Sequence, residues 1–152
     1  MRFRGSTNLS IDAKGRVAMP KHHRERLLAH YTGGLVVTYQ APCLLIYPEP
    51  EWEEIEDKVN ALANSHPDAR MMQRTLIGLS DSVELDSTGR ILLPAMLRKK
   101  AGIDRKVVLI GQGKKFELWD EGCWERTIDE WEQKTSERDP SDLPEEMLNI
   151  SL

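Results

Sequence analysis

Cysteine is nearly absent: Cys43 and Cys123 are the only two in 152 residues. Two are too few for a disulfide scaffold, and they lack zinc-site spacing, so they read as reduced thiols in a cytosol. Long apolar runs are missing as well. The longest, such as Val107 to Ile110, fall far short of the ~20 residues that span a bilayer. The opening MRFRGSTNLS has no apolar stretch of signal-peptide length, so a soluble intracellular protein is expected, with no membrane partner. A surplus of basic charge is lacking too: 21 Lys and Arg against 25 Asp and Glu give a net charge of -4. That sum argues against a polycation that coats nucleic acid in bulk.

Catalytic and metal-binding patterns are equally scarce. No Ser/His/Asp or Cys/His set stands out, and Glu49, Glu51, Glu53 and Glu54 read as a helix start and solvated face rather than a carboxylate pair. His22 and His23 are neighbours on a helical segment, where successive side chains diverge by about 100°. With no third ligand nearby, no metal is expected. The segment Gly111-Gln112-Gly113-Lys114-Lys115 has a faint phosphate-loop look, but Val108 stands where the first glycine belongs and Lys115 where Ser or Thr belongs. A hairpin turn fits it better. Neither an enzyme nor a cofactor is expected.

What is present begins with an uneven charge. Residues 1–30 hold seven basic and two acidic side chains, whereas residues 116–152 hold twelve acidic and three basic. This gradient fits a face that meets an anion while another repels it, or, more blandly, a solvated surface unevenly decorated. Length near ~150 residues is the prior for one domain, and the 39% hydrophobic content can build a core.

An internal repeat organises the chain. LSIDAKGRVAMPKHHRER, from Leu9, aligns with VELDSTGRILLPAMLRKK, from Val83, at an offset of 74. Asp12 meets Asp86, Gly15 meets Gly89, Arg16 meets Arg90, Pro20 meets Pro94 and Arg24 meets Arg98. A second block aligns at an offset of 72, bringing LVVTYQ onto VVLIGQ and Trp52 onto Trp124. A loop absorbs the two-residue shift.

Each copy reads alike. Leu9 and Ile11, like Val83 and Leu85, alternate with polar residues as strands do. D-A-K-G and D-S-T-G then read as tight turns, with Asp bonding the turn backbone and Gly accepting positive φ. A second strand follows, then a helix started by Pro20 or Pro94 and ended near Gly33 or Gly102 by a glycine cap. A hairpin comes next: Leu35–Tyr39 with Cys43–Tyr47, and Val107–Gly111 with Lys115–Trp119. Appended helices place Trp52, Ile55, Val59 and Leu62, then Trp124, Ile128 and Trp131, at helical spacing; both Trp52 and Trp124 read as core. The expected organisation is a first repeat at 5–51, connecting helices at 52–78, a second repeat at 79–122, an appended helix at 123–136 and a flexible tail at 137–152, charged and broken by Pro140 and Pro144. One four-stranded unit buries little apolar area. Two units pairing across a pseudo-twofold axis share a core.

The pattern ELDSTGRILLPAMLRKKAGI resembles the AbrB-type swapped-hairpin DNA-binding module. Two such modules, each with D-x-x-G-R, plus F-R-G near the start, resemble the MraZ family over about residues 1–135. The resemblance implies a mostly β fold with α elements: a duplicated AbrB/MraZ-type swapped-hairpin β-barrel with appended helices. It also implies a bacterial transcriptional regulator of the division and cell-wall gene cluster. Such a protein forms a ring homo-oligomer, associates with the nucleoid in the cytoplasm, and binds double-stranded DNA at repeated elements in its own promoter as an autorepressor.

The resemblance puts the D-x-x-x-R motif at the DNA surface, which carries onto Lys14 and Arg16 first. A two-stranded ribbon fits the major groove, and Arg is the usual bidentate partner of guanine. The second copy has Thr88 in place of Lys14, so Arg90 is the weaker candidate. Arg2 and Arg4 are candidates for phosphate contacts, which fix position without reading bases. Asp12, Gly15, Asp86 and Gly89 are expected to build the turns, and Arg24 and Arg98 to share a structural pairing. The competing function is an oligomeric protein-interaction module that captures a partner chain; net acidity favours it and the basic first 30 residues oppose it.

Overall fold

Why the chain needs both repeats is visible in the ladders between strands. A computed structural model describes residues 1–152 as two compact units, Met1–Glu121 and Gly122–Leu152. In the first unit the order is β1 (Phe3–Ser10), β2 (Arg16–Ala18), α1 (Lys21–His30), β3 (Gly34–Gln40), β4 (Cys43–Pro48), α2 (Glu49–Asn60) and α3 (Pro67–Met72). A π-helical turn, Gln73–Ile77, extends α3. The second copy then gives β5 (Asp81–Glu84), β6 (Arg90–Leu92), α4 (Ala95–Lys100), β7 (Lys106–Gly113) and β8 (Lys115–Asp120).

Only the hairpins β3–β4 and β7–β8 pair within a repeat. Every other ladder joins the two copies: β1 with β7, β3 with β5, β4 with β8 and β2 with β6. Equivalent positions face each other at two places, Val17 opposite Ile91 and Leu45 opposite Glu117. A pseudo-twofold axis therefore relates the halves. The hydrogen-bonded sheet of six strands, β1-β7-β8-β4-β3-β5, is open, with β1 and β5 at its ends, and β2–β6 is a separate two-stranded ribbon.

One core serves both. Val17, Met19, Ile91 and Leu93 from the ribbon region join Leu27 and Leu97 from the helices and Leu35, Leu44, Ile46, Leu109, Phe116 and Leu118 from the sheet. At ~25 cal/mol per Å² of apolar surface removed from water, such side chains dominate the stabilisation. Period-2 alternation sets the ribbon's faces: Val17 and Ile91 are buried, while Ala18 and Leu92 are exposed and Arg16 and Arg90 half-buried. Trp52 is buried against Tyr47.

Two local expectations change. Pro20 and Pro94 do stand immediately before α1 and α4, and α4 ends as expected: Gly102 has φ 63°, its N–H donates to the Lys99 carbonyl, and Ile103 N–H donates to the Arg98 carbonyl. This is a Schellman cap. Helix α1 instead stops at Tyr31, which is already extended at φ -137°, so Gly33 lies in the following turn rather than capping the helix. The rings of His22 and His23 also do not diverge. Their centroids are 3.9 Å apart, with the ring planes at 43° to each other. No group of three or more His, Cys, Asp or Glu is arranged to hold a metal ion.

The second unit is mostly α5 (Glu121–Glu137), whose first residue closes the preceding unit, followed by a 3-10 turn at Pro140–Asp142 and α6 (Glu145–Leu148). Asp139 caps the 3-10 turn by accepting from Ser141 N–H at 3.0 Å, and those bonds lower its carboxyl pKa. No helix is long and apolar enough to cross a membrane.

Candidate nucleic-acid interface

The five residues Asp12 to Arg16 close on themselves for local reasons. Asp12 N–H donates to the Arg16 carbonyl and Gly15 N–H to the Asp12 carbonyl. Asp12 Oδ1 accepts the backbone N–H of Lys14 and of Arg16, both at 2.9 Å. Gly15 sits at φ 90°, where an L side chain is strained. Asp12 Oδ2 then accepts Arg16 Nε at 2.9 Å. The Arg16 backbone N–H, and next its guanidinium, pull the Asp12 carboxyl below its ordinary value of 3.8.

The second turn repeats this with one substitution. Asp86 Oδ1 accepts the N–H of Thr88 and of Arg90, both at 2.9 Å, and Gly89 sits at φ 78°. The Thr88 hydroxyl also donates to Asp86 Oδ1 at 2.8 Å and accepts Arg90 Nε at 2.9 Å. Thr88 thus intercepts the guanidinium that in the first copy reaches the carboxylate directly. The Arg90 N–H and the Thr88 hydroxyl hold the Asp86 carboxyl down at about 2.

The ribbon brings these turns together. Arg90 Nη1 lies 3.6 Å from Asp12 Oδ2 while Arg90 Nε lies 3.5 Å from Asp86 Oδ2. Arg90 therefore bridges both carboxylates, and Arg16 pairs with one. Arg16 keeps its two terminal amino groups outside any protein hydrogen bond, with Nε fixing the plane of the guanidinium. Lys14 is exposed beside it. An arginine oriented through Nε presents its remaining donors without first losing side-chain freedom, which is what bidentate recognition of a base edge needs.

The structure does not bring Arg2 and Arg4 to this cluster. Arg4 lies near the start of β1, opposite Gln112, and six strand steps, about 20 Å, separate it from Ser10 just before the turn. Arg2 is exposed, and its carbonyl accepts Arg26 Nη1 at 2.8 Å. Arg2 and Arg26 thus meet beyond the start of β1, away from the turn.

Both repeats are matched by the family model described as "MraZ protein, putative antitoxin-like", over residues 2–75 and 76–145. The chain belongs to the MraZ family. Among its relatives, the transcriptional regulator MraZ of Halorhodospira halophila is 48% identical over 152 residues, covering 99% of each chain. That of Thioalkalivibrio sulfidiphilus is 50% identical over 136 residues, 89% of this chain and 91% of the relative. That of Nitrosomonas europaea is 49% identical over 151 residues, 99% of each. Membership in the MraZ family makes this chain a transcriptional regulator and not an enzyme.

Sequence reading underrated two residues. Arg98 lies over Gly15 and Arg24 over Gly89, each guanidinium so close that a methyl group on the glycine would collide with it. The only signal in the sequence is that Arg24 and Arg98 recur at the repeat offset.

Proposed function

We propose that this MraZ-family chain is a sequence-specific DNA-binding repressor that acts on direct repeats upstream of the division and cell-wall gene cluster, including its own promoter. The observation that carries this reading is the outward face of the β2–β6 ribbon. Arg16 is oriented there by Asp12 with its terminal nitrogens unengaged, and Lys14 is exposed alongside. A two-stranded ribbon fits the major groove, where arginine reads guanine. Lys14 and Arg16 are the reading residues, and Arg90, tied to two carboxylates and a hydroxyl, contributes less. Arg2 and Arg4 contact phosphates at a distance from the reading turn. The protein works in the cytoplasm, on the nucleoid.

One ribbon offers few base contacts, so the working particle is a ring of copies that sets several ribbons on successive repeats. Large apolar side chains left on the surface support self-association: Met71 is 51% and Leu28 58% exposed. Linked binding raises avidity by ~10²–10⁴ over a single site.

A mobility shift with a repeat-bearing promoter fragment and a scrambled one tests the reading. The wild type is expected to prefer the repeats, with affinity falling steeply in salt. Arg16→Ala removes a contact of about 1–3 kcal/mol at each turn, roughly 5- to 150-fold per site and more for linked sites, while the mass of the particle stays unchanged. Wild-type-like binding by Arg16→Ala refutes the assignment of the reading residue. Equal affinity of the wild type for both fragments refutes sequence-specific binding and leaves the partner-capturing module in its place.

A further inference from the structure

We infer that Arg98, on α4 of the second repeat, is a positioning residue for the turn of the first repeat, and that Arg24, on α1, does the same for the turn of the second. Each turn is then a composite of both halves of the chain. The functional arm of this inference rests on the DNA-binding reading above; its structural arm does not.

The geometry is a closed circuit. Gly15 has no side chain with which to anchor the turn, and its open face is covered by the Arg98 guanidinium. A methyl group on Gly15 would come within 2.8 Å of Arg98 Cζ and Nη2 and 3.0 Å of Nε. Arg98 Nε donates to the Leu93 carbonyl at 3.2 Å, and Leu93 N–H donates to the Gly15 carbonyl at 2.9 Å. Leu93 thus links Gly15 to the arginine that packs on it. The Arg98 backbone is fixed in turn, since its carbonyl accepts Ile103 N–H at 2.9 Å in the α4 cap.

The second turn repeats the guanidinium-on-glycine contact with a different carbonyl partner. Arg24 packs on Gly89 and directs Nη1 to the Thr88 carbonyl at 3.5 Å, and Met19 N–H donates to the Gly89 carbonyl at 2.9 Å. Two independent copies of one contact, each crossing between repeats, mark it as built in.

Charge pairing is not what holds these arginines. Arg16 and Arg90 each have a carboxylate within 4.0 Å, whereas the contacts of Arg98 and Arg24 are to carbonyl oxygens and to a glycine face. The property in use is the flat, rigid guanidinium, which a lysine does not reproduce. Arg98 also lines two clefts beside the turn, one that it shares with Lys14, Leu92 and Pro94, the other with Asp12, Ala13 and Arg105. Removing its guanidinium uncovers Gly15 and loosens the segment that carries Lys14 and Arg16. A reading residue acts only if its backbone is placed to within a fraction of an ångström, so this packing on Gly15 controls specificity without touching DNA.

Arg98→Lys and Arg98→Met in the full-length protein separate this role from its rivals. Hydrogen–deuterium exchange over residues 12–16 and 90–94 is expected to accelerate about tenfold in both variants, with β4 and β8 unchanged. The preference for repeat-bearing over scrambled DNA is expected to fall about tenfold in both, with the slope of log affinity against log salt unchanged. Exchange like wild type in both variants overturns the clamp. So does full rescue by lysine. A salt slope reduced by about one in Arg98→Met and restored in Arg98→Lys makes Arg98 a phosphate contact instead. Faster exchange with an intact DNA preference makes it a structural residue only. If the wild type itself shows no preference for repeats, the DNA-binding reading fails, and the exchange arm alone decides the clamp.

Discussion

His23 gives the sharpest stability test. It is 1% exposed, packed against Phe3 and Phe116 with ring centroids 5.8 and 4.9 Å away, and neither ring nitrogen has a hydrogen-bond partner. Burial first, then the nearby His22 and Arg26 charges, lower its pKa from 6.5 to about 4. The unfolded chain therefore takes up a proton near pH 6.5 that the folded chain refuses until about pH 4. Stability from this group is full above pH 6.5, falls as pH drops from 6.5 to 4, and changes no further below that. At 1.36 kcal/mol per pH unit the whole loss is about 3 kcal/mol, and at pH 5 it amounts to about 2 kcal/mol by the same linkage. His23→Leu, close in volume, removes both the titration and two unsatisfied nitrogens, each worth roughly 1–3 kcal/mol when buried unpaired. Urea unfolding of wild type and variant at pH 8, 6 and 5, at one protein concentration, reads the effect. The variant is expected to be more stable at pH 8, and its advantage to widen by about 2 kcal/mol by pH 5. Parallel curves across that range refute the claim that His23 is buried neutral.

The other predictions concern the ribbon and its surroundings. Arg90→Ala is expected to weaken DNA binding less than Arg16→Ala and to destabilise the fold more, by about 1 kcal/mol, the upper range for a half-exposed ion pair; equal loss of binding with an unchanged melting temperature reverses the ranking. Arg4→Ala is expected to lower the salt slope of DNA binding by about one while preserving the preference for repeats, and a lost preference refutes the phosphate assignment. Asp86, held at about 2, stabilises the fold above pH 3.8 and loses that contribution as pH falls from 3.8 through 2. Asp86→Asn is therefore expected to flatten the acid limb of a melting-temperature profile between pH 4 and 2, and an unaltered limb contradicts the hydrogen-bond pattern at the second turn.

Much of the interface was legible in sequence because its chemistry is local. Asp12 reaches N–H groups two and four residues away, so D-x-x-G-R predicts the turn wherever it occurs. Pro20 and Pro94 mark helix starts because a proline lacks the N–H that helix interiors need. Doubling of the motif showed that two copies existed and that the core must be shared. The placement of Arg4 was not legible, since closeness in sequence becomes about 20 Å once β1 is extended. Nor was the end of α1, where Tyr31 leaves the helix before Gly33 is reached.

By itself, then, the sequence determined the turns, the strand faces and the duplication, all interactions spanning a few residues or the period of one element. Tertiary structure alone decided that β1 pairs with β7, that Asp12 is shared by Arg16 and Arg90, that His23 is stripped of water, and that an arginine from one repeat covers the glycine of the other. Those outcomes depend on which apolar faces exclude water together, a property of the whole chain that no short window contains.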